Sequence, residues 1–174
     1  MSLDGFISGP DDDMDWIFKY DYPAEKIKEV TETIGALLVG RRTYNVGKKE
    51  PDKPTGEAYS GAWSGPEFIL THNPPANETD PNKFFLTEQI ESAVEKALEA
   101  ANGKSVNVLG ASVAKQCMEH DLLDEITVYI APILLGNGTR LFSQTSLNYV
   151  KMDLIEVEKL GQITSLRFKL KNKN

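Results

Sequence analysis

The chain has 174 residues, enough for one sizeable core, with 40% hydrophobic and 26% charged residues, an ordinary balance for a soluble globular protein. A formal charge of −7 without a basic stripe argues against nucleic acid as a partner, and no apolar run approaches the ~20 residues needed to span a bilayer. The start, Met1 to Ile7, has neither the basic flank nor the apolar stretch of a signal peptide, and Cys117, the single cysteine, has no internal disulfide partner; a reducing cytoplasm fits both.

In chain order, Ser2 to Ile7 reads as the tail of a strand that runs into the turn-rich Gly9-Pro10-Asp11-Asp12-Asp13. The aspartate run reads as solvated loop, since no glutamate follows at the spacing of a calcium loop. A helix begins at Pro23-Ala24-Glu25, with Ile27, Val30 and Ile34 on one face and Gly35 closing it. Ala36 to Val39, ending at Gly40, is a continuous apolar run, the pattern of a strand buried on both faces. From Asn45 to Gly65 the residues suit a surface excursion.

Phe68 to Thr71 predicts the next strand, stopped by Asn73-Pro74-Pro75, and Phe84 to Leu86 a short one. Thr87 is placed to cap a helix with Ile90, Val94, Ala97, Leu98 and Ala101 on its apolar face, ended by Asn102-Gly103. Val106 to Leu109 is a strand leading through Gly110-Ala111 into a helix from about Ser112 to His120, in which Cys117 reads as a buried structural thiol. Ile126 to Ile133 predicts a longer strand. Val150 to Val157 and Ile163 to Leu170, around Leu160-Gly161-Gln162, predict an antiparallel hairpin, and the basic end from Lys169 onward reads as a solvated strand end. The class is α/β: a mostly parallel sheet with helices on both faces and an antiparallel edge.

In such sheets ligands bind beyond the carboxyl ends of the strands, so three turns draw interest. Gly40-Arg41-Arg42-Thr43 combines a close-approach glycine, helix-start amides, two guanidiniums and a hydroxyl, all suited to phosphate; a helix start with solvated arginines is the plainer reading. Thr71-His72 could bond a ribose or its 2′-phosphate, or could be ordinary turn chemistry before the prolines; nothing at ligand spacing makes His72 a metal site. Leu109-Gly110-Ala111-Ser112-Val113 offers a helix-start anion site with Ser112 as cap, or simply a tight turn, and lacks the dinucleotide G-x-G-x-x-G pattern.

The segments Ser2-Leu3-Asp4-Gly5-Phe6-Ile7-Ser8-Gly9, Leu38-Val39-Gly40-Arg41-Arg42-Thr43-Tyr44, Val108 to Ala111, Leu122 to Ile126 and Pro132-Ile133-Leu134-Leu135-Gly136-Asn137-Gly138-Thr139-Arg140-Leu141-Phe142 stand in this order along nearly the whole chain. Together they resemble the dihydrofolate reductase-like superfamily, in the branch of the reductase domain of riboflavin biosynthesis and its uncharacterised bacterial relatives. The resemblance implies a single three-layer α/β/α domain, a homodimer, and NADPH as reductant of a small heterocyclic or carbonyl substrate such as a pterin or pyrimidinone. It implies pyrophosphate and ribose contacts at Gly40, Arg41, Arg42 and Thr43, an adenosine end at Thr71 and His72, and further phosphate contact at Leu109, Gly110, Ala111, Ser112 and Val113. The segment from Asp4 to Gly9 would cover the nicotinamide, with Ser8 and Gly9 on the cofactor and Phe6 on the substrate, and Trp16 would flank the substrate or serve as a plain half-buried anchor.

Three departures stand out. Relatives carry Gly-Gly, often cis, where this chain has Gly110-Ala111, and a cis bond before alanine costs ~3–4 kcal/mol. Relatives have a central strand before Ser-Leu-Asp-Gly, which here shrinks to almost nothing. No proton donor is evident: Asp4 and Asp21 are the candidates for the donor or its orienter, each more readily a surface or turn aspartate. A dinucleotide-binding homodimer without catalysis is the alternative these departures favour.

Overall fold

A computed structural model describes residues 1–49, 56–142 and 149–171. The chain divides into two compact units, one built from Met1–Ala24 with Asp121–Asn174, the other from Glu25–His120.

The continuous unit is the parallel one. Helix α1 (Ala24–Thr33) leads into β2 (Ile34–Gly40), then α2 (Arg41–Lys49), β3 (Glu67–Leu70), β4 (Lys83–Leu86), α3 (Ile90–Ala101), β5 (Ser105–Leu109) and α4 (Ala111–Glu119). The four strands pair in the order β4-β3-β2-β5, all parallel. β2 lies inside that sheet, and its Ala36, Leu37 and Leu38 are fully buried, which is why its sequence is an unbroken apolar run. Side chains alternate across it. Leu37 and Val39 join Ile34 and Ile69 in a cluster packed by Val30 of α1, Tyr44 of α2 and Phe85 of β4. On the alternate register, Gly40 faces Val113 and Ser112 of α4, so helices cover both faces.

Several boundaries differ from expectation. Ile34 and Gly35 belong to β2 rather than to the end of α1. A side chain on Gly35 would overlap the backbone of Ala101, so its role is close approach to the end of α3 and not helix termination. The expected excursion from Asn45 begins as the second half of α2; residues 50–55 of it lie outside the described residues. Helix α3 starts at Ile90 behind Gln89 and not at Thr87, because Ile90 is itself buried and pins the first turn. Its buried face uses Ala93, while Leu98 stands off it, 53% exposed. Asn102 does close the helix, in the left-handed conformation (φ 50°). Cys117 is fully buried in α4, and burial pushes its thiol up to about 11, as suits a structural and unreactive group.

The discontinuous unit holds β1 (Phe6–Ser8), β6 (Glu125–Ile130), β7 (Thr139–Arg140), β8 (Met152–Leu160) and β9 (Ile163–Leu170). The hairpin β8–β9 forms as predicted and joins β6 in an antiparallel sheet ordered β6-β9-β8, while β1 pairs with β7. Two elements are shorter than expected. The first strand is confined to Phe6–Ser8, because residues 2–5 turn around Gly5 (φ 89°). β6 stops at Ile130, and Ala131 keeps only an isolated parallel bridge to Ser2. The last three residues of the basic tail, 172–174, lie outside the described residues.

Candidate cofactor site and its anchoring loop

The three turns singled out in the sequence stand side by side. Register sets Gly40 opposite Leu70 and Val39 opposite Leu109, so β3, β2 and β5 end nearly level along one edge of the parallel sheet. Two of these strands pass into helices without a connecting loop, β2 into α2 at Arg41 and β5 into α4 at Ala111. The first-turn amides of both helices therefore lie at that edge with no partner inside their own helix. Glycine permits this. Gly110 adopts φ 105°, and a Cβ there would come 2.6 Å from Thr43 Oγ1 and 3.7 Å from the Gly40 amide nitrogen. A Cβ on Gly40 would meet Val113 Cγ2 at 3.3 Å and Ser112 Oγ at 3.5 Å. The result is a cradle of backbone with a threonine and a serine hydroxyl beside it, a lining that fits phosphate oxygens.

Each predicted residue here can now be placed. Gly110, not Ser112, is the N-cap residue of α4, and Ser112 makes no capping bond; the positive φ of Gly110 directs the chain into the helix instead. Ala111 is the first helical residue, and no peptide bond among the described residues is cis. Arg41 donates from Nη1 to the Asn73 carbonyl (2.9 Å) and lies over the Tyr44 ring (5.4 Å), whereas Arg42 is exposed. Thr71 is buried and its hydroxyl accepts from the Asn73 amide (3.2 Å), which is the turn chemistry of the plainer reading. His72 is exposed beside it.

Behind Arg41 lies a group the sequence did not single out. The Tyr44 hydroxyl donates to Glu78 Oε2, and Lys48 Nζ stands 3.0 Å from the same oxygen. Glu78 Oε1 also accepts from the amides of Thr79 (3.0 Å) and Asp80 (3.1 Å). Its hydrogen bonds, that of Tyr44 foremost, hold the carboxyl down at about 2, while desolvation and the carboxylate push Tyr44 up to about 12.

In the discontinuous unit the motif from Ser2 to Gly9 interlocks with that from Pro132 to Phe142. Asp4 accepts from Ser2 Oγ (2.6 Å) and the Leu135 amide (3.1 Å) on Oδ1, and from the Gly136 amide (2.8 Å) on Oδ2. Arg140 donates to the Asp4 carbonyl (2.7 Å) and lies 4.2 Å over the Phe6 ring. Gly138 (φ 132°) passes so close that a Cβ would overlap the Ser8 carbonyl and the Gly9 backbone. The Ser2 hydroxyl and the two amides hold the Asp4 carboxyl at about 2, despite some opposing desolvation. A carboxyl so placed, with three donors already on it, is better suited to anchoring or orienting than to giving up a proton. Asp21 is exposed, its carbonyl beside the β8–β9 turn at Gly161. Phe6 is a buried platform for Arg140, and Ser8 and Gly9 are buried with it. Trp16 is only 5% exposed, and its indole N–H is buried with no hydrogen-bond partner among the described residues. Arg140 and Gly138 were visible only as parts of a motif; what they touch, Asp4 for the one and Ser8 and Gly9 for the other, lies at the far end of the chain.

A family model described as the RibD C-terminal domain matches residues 1–166. The chain belongs to that family. Among individual relatives, it is 24% identical over 171 residues to YwjB of Bacillus subtilis strain 168, a protein itself uncharacterised; the match covers 97% of this chain and 92% of YwjB. A chain from Shewanella sp. PV-4 assigned to riboflavin biosynthesis superposes with a TM-score of 0.80 at 22% identity, covering 99% and 96% of the two chains. The diaminohydroxyphosphoribosylaminopyrimidine deaminase/5-amino-6-(5-phosphoribosylamino)uracil reductase of Thermotoga maritima superposes with a TM-score of 0.65 at 18% identity, and this chain spans 54% of its length. The α/β fold, with its parallel and antiparallel sheets, is thus the dihydrofolate reductase-like fold of RibD C-terminal domains. No helix among the described residues is long and apolar enough to cross a membrane.

Proposed function

We propose that this protein is an NADPH-dependent oxidoreductase acting on a small heterocyclic or carbonyl compound of the pterin or pyrimidinone kind. The observation that carries this reading is the glycine-lined cradle where β2 and β5 run directly into α2 and α4. Gly40, Thr43, Gly110, Ser112 and Val113 meet there within contact distance. Bound at that edge, NADPH would supply a hydride. The chain's own part is to hold the pyrophosphate on the first-turn amides and the Thr43 hydroxyl, with Arg41 offsetting its charge. The Thr71–His72 turn receives the adenosine end.

Within its own unit the loop from Asp4 to Gly9 is held by the Asp4 and Arg140 contacts, and the family resemblance supports it as the segment that would cover a nicotinamide. Trp16 contributes a buried donor, which an oxygen or ring nitrogen of the substrate would satisfy. Membership in the RibD C-terminal family and the Thermotoga reductase of the same fold support a pyrimidinone-like substrate. We further propose a homodimer in the cytoplasm, with the apolar side of β8 as the self-contacting surface.

The deciding experiment is titration of the purified chain with NADPH and NADH, read by tryptophan fluorescence and by the melting midpoint. A ligand at one hundred times its dissociation constant stabilises a fold by about 2.7 kcal/mol. Saturable binding with NADPH preferred is expected; absence of binding to either nucleotide defeats the reading.

One observation favours a second reading, a dinucleotide-binding protein without turnover. Asp4, the acid best placed in the motif, is fully engaged as an anchor. Binding of NADPH without oxidation across a panel of pterins and pyrimidinones would select it.

A further inference from the structure

We propose that Tyr44 and Glu78 are positioning residues of the dinucleotide site, fixing the turn at Thr71–Asn73 against the start of α2. The inference rests on the cofactor reading above and goes beyond the residues named there. Arg41, Tyr44 and Lys48 follow at intervals of three and four, so they lie along one face of α2. That face grips the β3–β4 connection at two places. Arg41 holds its beginning through the Asn73 carbonyl, and Tyr44 with Lys48 holds its middle through Glu78.

Glu78 is unusual for a loop acid. Its side chain is only 8% exposed, and it gathers a phenol, an ammonium and two backbone amides. Such a cluster has a job when a nearby turn must stay in register. Here the turn and the phosphate-facing amides of Arg41, Arg42 and Thr43 are both referenced to one helix. The distance from the pyrophosphate cradle to the 2′-phosphate end is thereby fixed by protein contacts before any ligand arrives, which lowers the ordering cost of binding. Tyr44 also meets Phe85 edge to face (5.3 Å), so the tyrosine ring is itself held by the sheet. The displaced titrations of Tyr44 and Glu78, to about 12 and about 2, keep a neutral phenol facing a carboxylate across the neutral pH range.

Tyr44→Phe tests this cleanly, because it removes one oxygen and leaves the ring between Phe85 and Arg41. Dissociation constants for NADPH, NADH and adenosine 2′,5′-bisphosphate are measured by calorimetry at 25 °C, beside the melting midpoint without ligand. The expected result is about tenfold weaker binding of NADPH and of the bisphosphate, the scale of one hydrogen bond to a charged group. NADH, which has no 2′-phosphate, should weaken less, so the preference for NADPH falls. Unchanged affinities would overturn the proposal. So would equal losses for NADPH and NADH with a lowered midpoint, the signature of a merely structural pair.

Wild-type protein that binds none of the three ligands removes the dinucleotide reading itself, and this inference with it, an outcome visible before any variant is made. Should Tyr44→Phe fail to fold, Lys48→Met loosens Glu78 from its solvent side, the lysine being 51% exposed. A shift of about threefold in the same direction is then expected, since exposed pairs contribute less, and no shift counts against the proposal.

Discussion

Asp4 carries a consequence for acid stability. Its carboxyl lies at about 2 in the folded chain against 3.8 in an unperturbed one, chiefly through the Ser2 hydroxyl. A depressed carboxyl stabilises the fold fully above the unfolded value and loses that contribution as pH falls through the folded value. Wild type and Asp4→Asn, compared by urea unfolding, should therefore differ most near pH 6, with the gap narrowing between pH values of about 4 and 2. A gap that does not change with pH would show that Asp4 does not anchor as a carboxylate. None of this was legible from Asp4 and its neighbours alone. The stretch from Ser2 to Ile7 reads as a strand tail, and the amides that help fix the ionisation of Asp4 come from Leu135 and Gly136, far along the chain. Glu78 escaped notice for the same reason: a loop glutamate looks solvated until Tyr44 and Lys48 fold over it.

At the scale of elements, β2 could be read because burial on both faces demands an unbroken apolar run, and the shorter β3 and the partly exposed β5 because turn residues bound their apolar positions. The hairpin β8–β9 could be read from alternation. Helix α2 could not be read in full. Gly47 and the lysines at 48 and 49 look like loop, and only its packing on the sheet through Tyr44 makes the helix worthwhile. Gly35 was legible as special but assigned to the wrong purpose. Its true constraint gives a sharp expectation: Gly35→Ala must displace the end of α3 and should cost ~2–4 kcal/mol in denaturant unfolding, as overpacked core positions do. Gly103→Ala is the fitting comparison. Gly103, unlike Gly35, has a positive φ (83°), but nothing lies within 4 Å of its added carbon, so only backbone strain of about 1 kcal/mol is expected. If the two variants lose equal stability, the contact with Ala101 is not what requires glycine at position 35.

At the scale of the molecule, the charge of −7 coexists with an apolar face that composition does not reveal. β8 is an edge strand, and its Met152, Leu154 and Val157 are 40, 55 and 60% exposed, in register with Leu170, Phe168 and Leu166 of β9. The opposite face of the same sheet carries Arg167 bonded to Glu125 and Lys171 paired with Asp153 just beyond the strand end. A contiguous apolar surface of this kind is costly to leave in water, and a two-fold contact satisfies it with an identical apolar surface. Leu154→Lys should therefore convert a dimer to a monomer in sedimentation while leaving the melting midpoint of the monomer nearly unchanged; a wild-type chain that sediments as a monomer would remove the homodimer from the proposal. The division of the chain also sets an order of events during synthesis. Glu25–His120 is continuous and has all its strand partners in hand once β5 and α4 have emerged from the ribosome. Met1–Ala24 has no such luck: Asp4 waits for Leu135 and Gly136, and Phe6 waits for Arg140, all more than 120 residues downstream. The segment before Ala24 therefore settles after the parallel sheet, so a released fragment ending at residue 130 should carry a formed parallel sheet preceded by a segment that proteases can still cut.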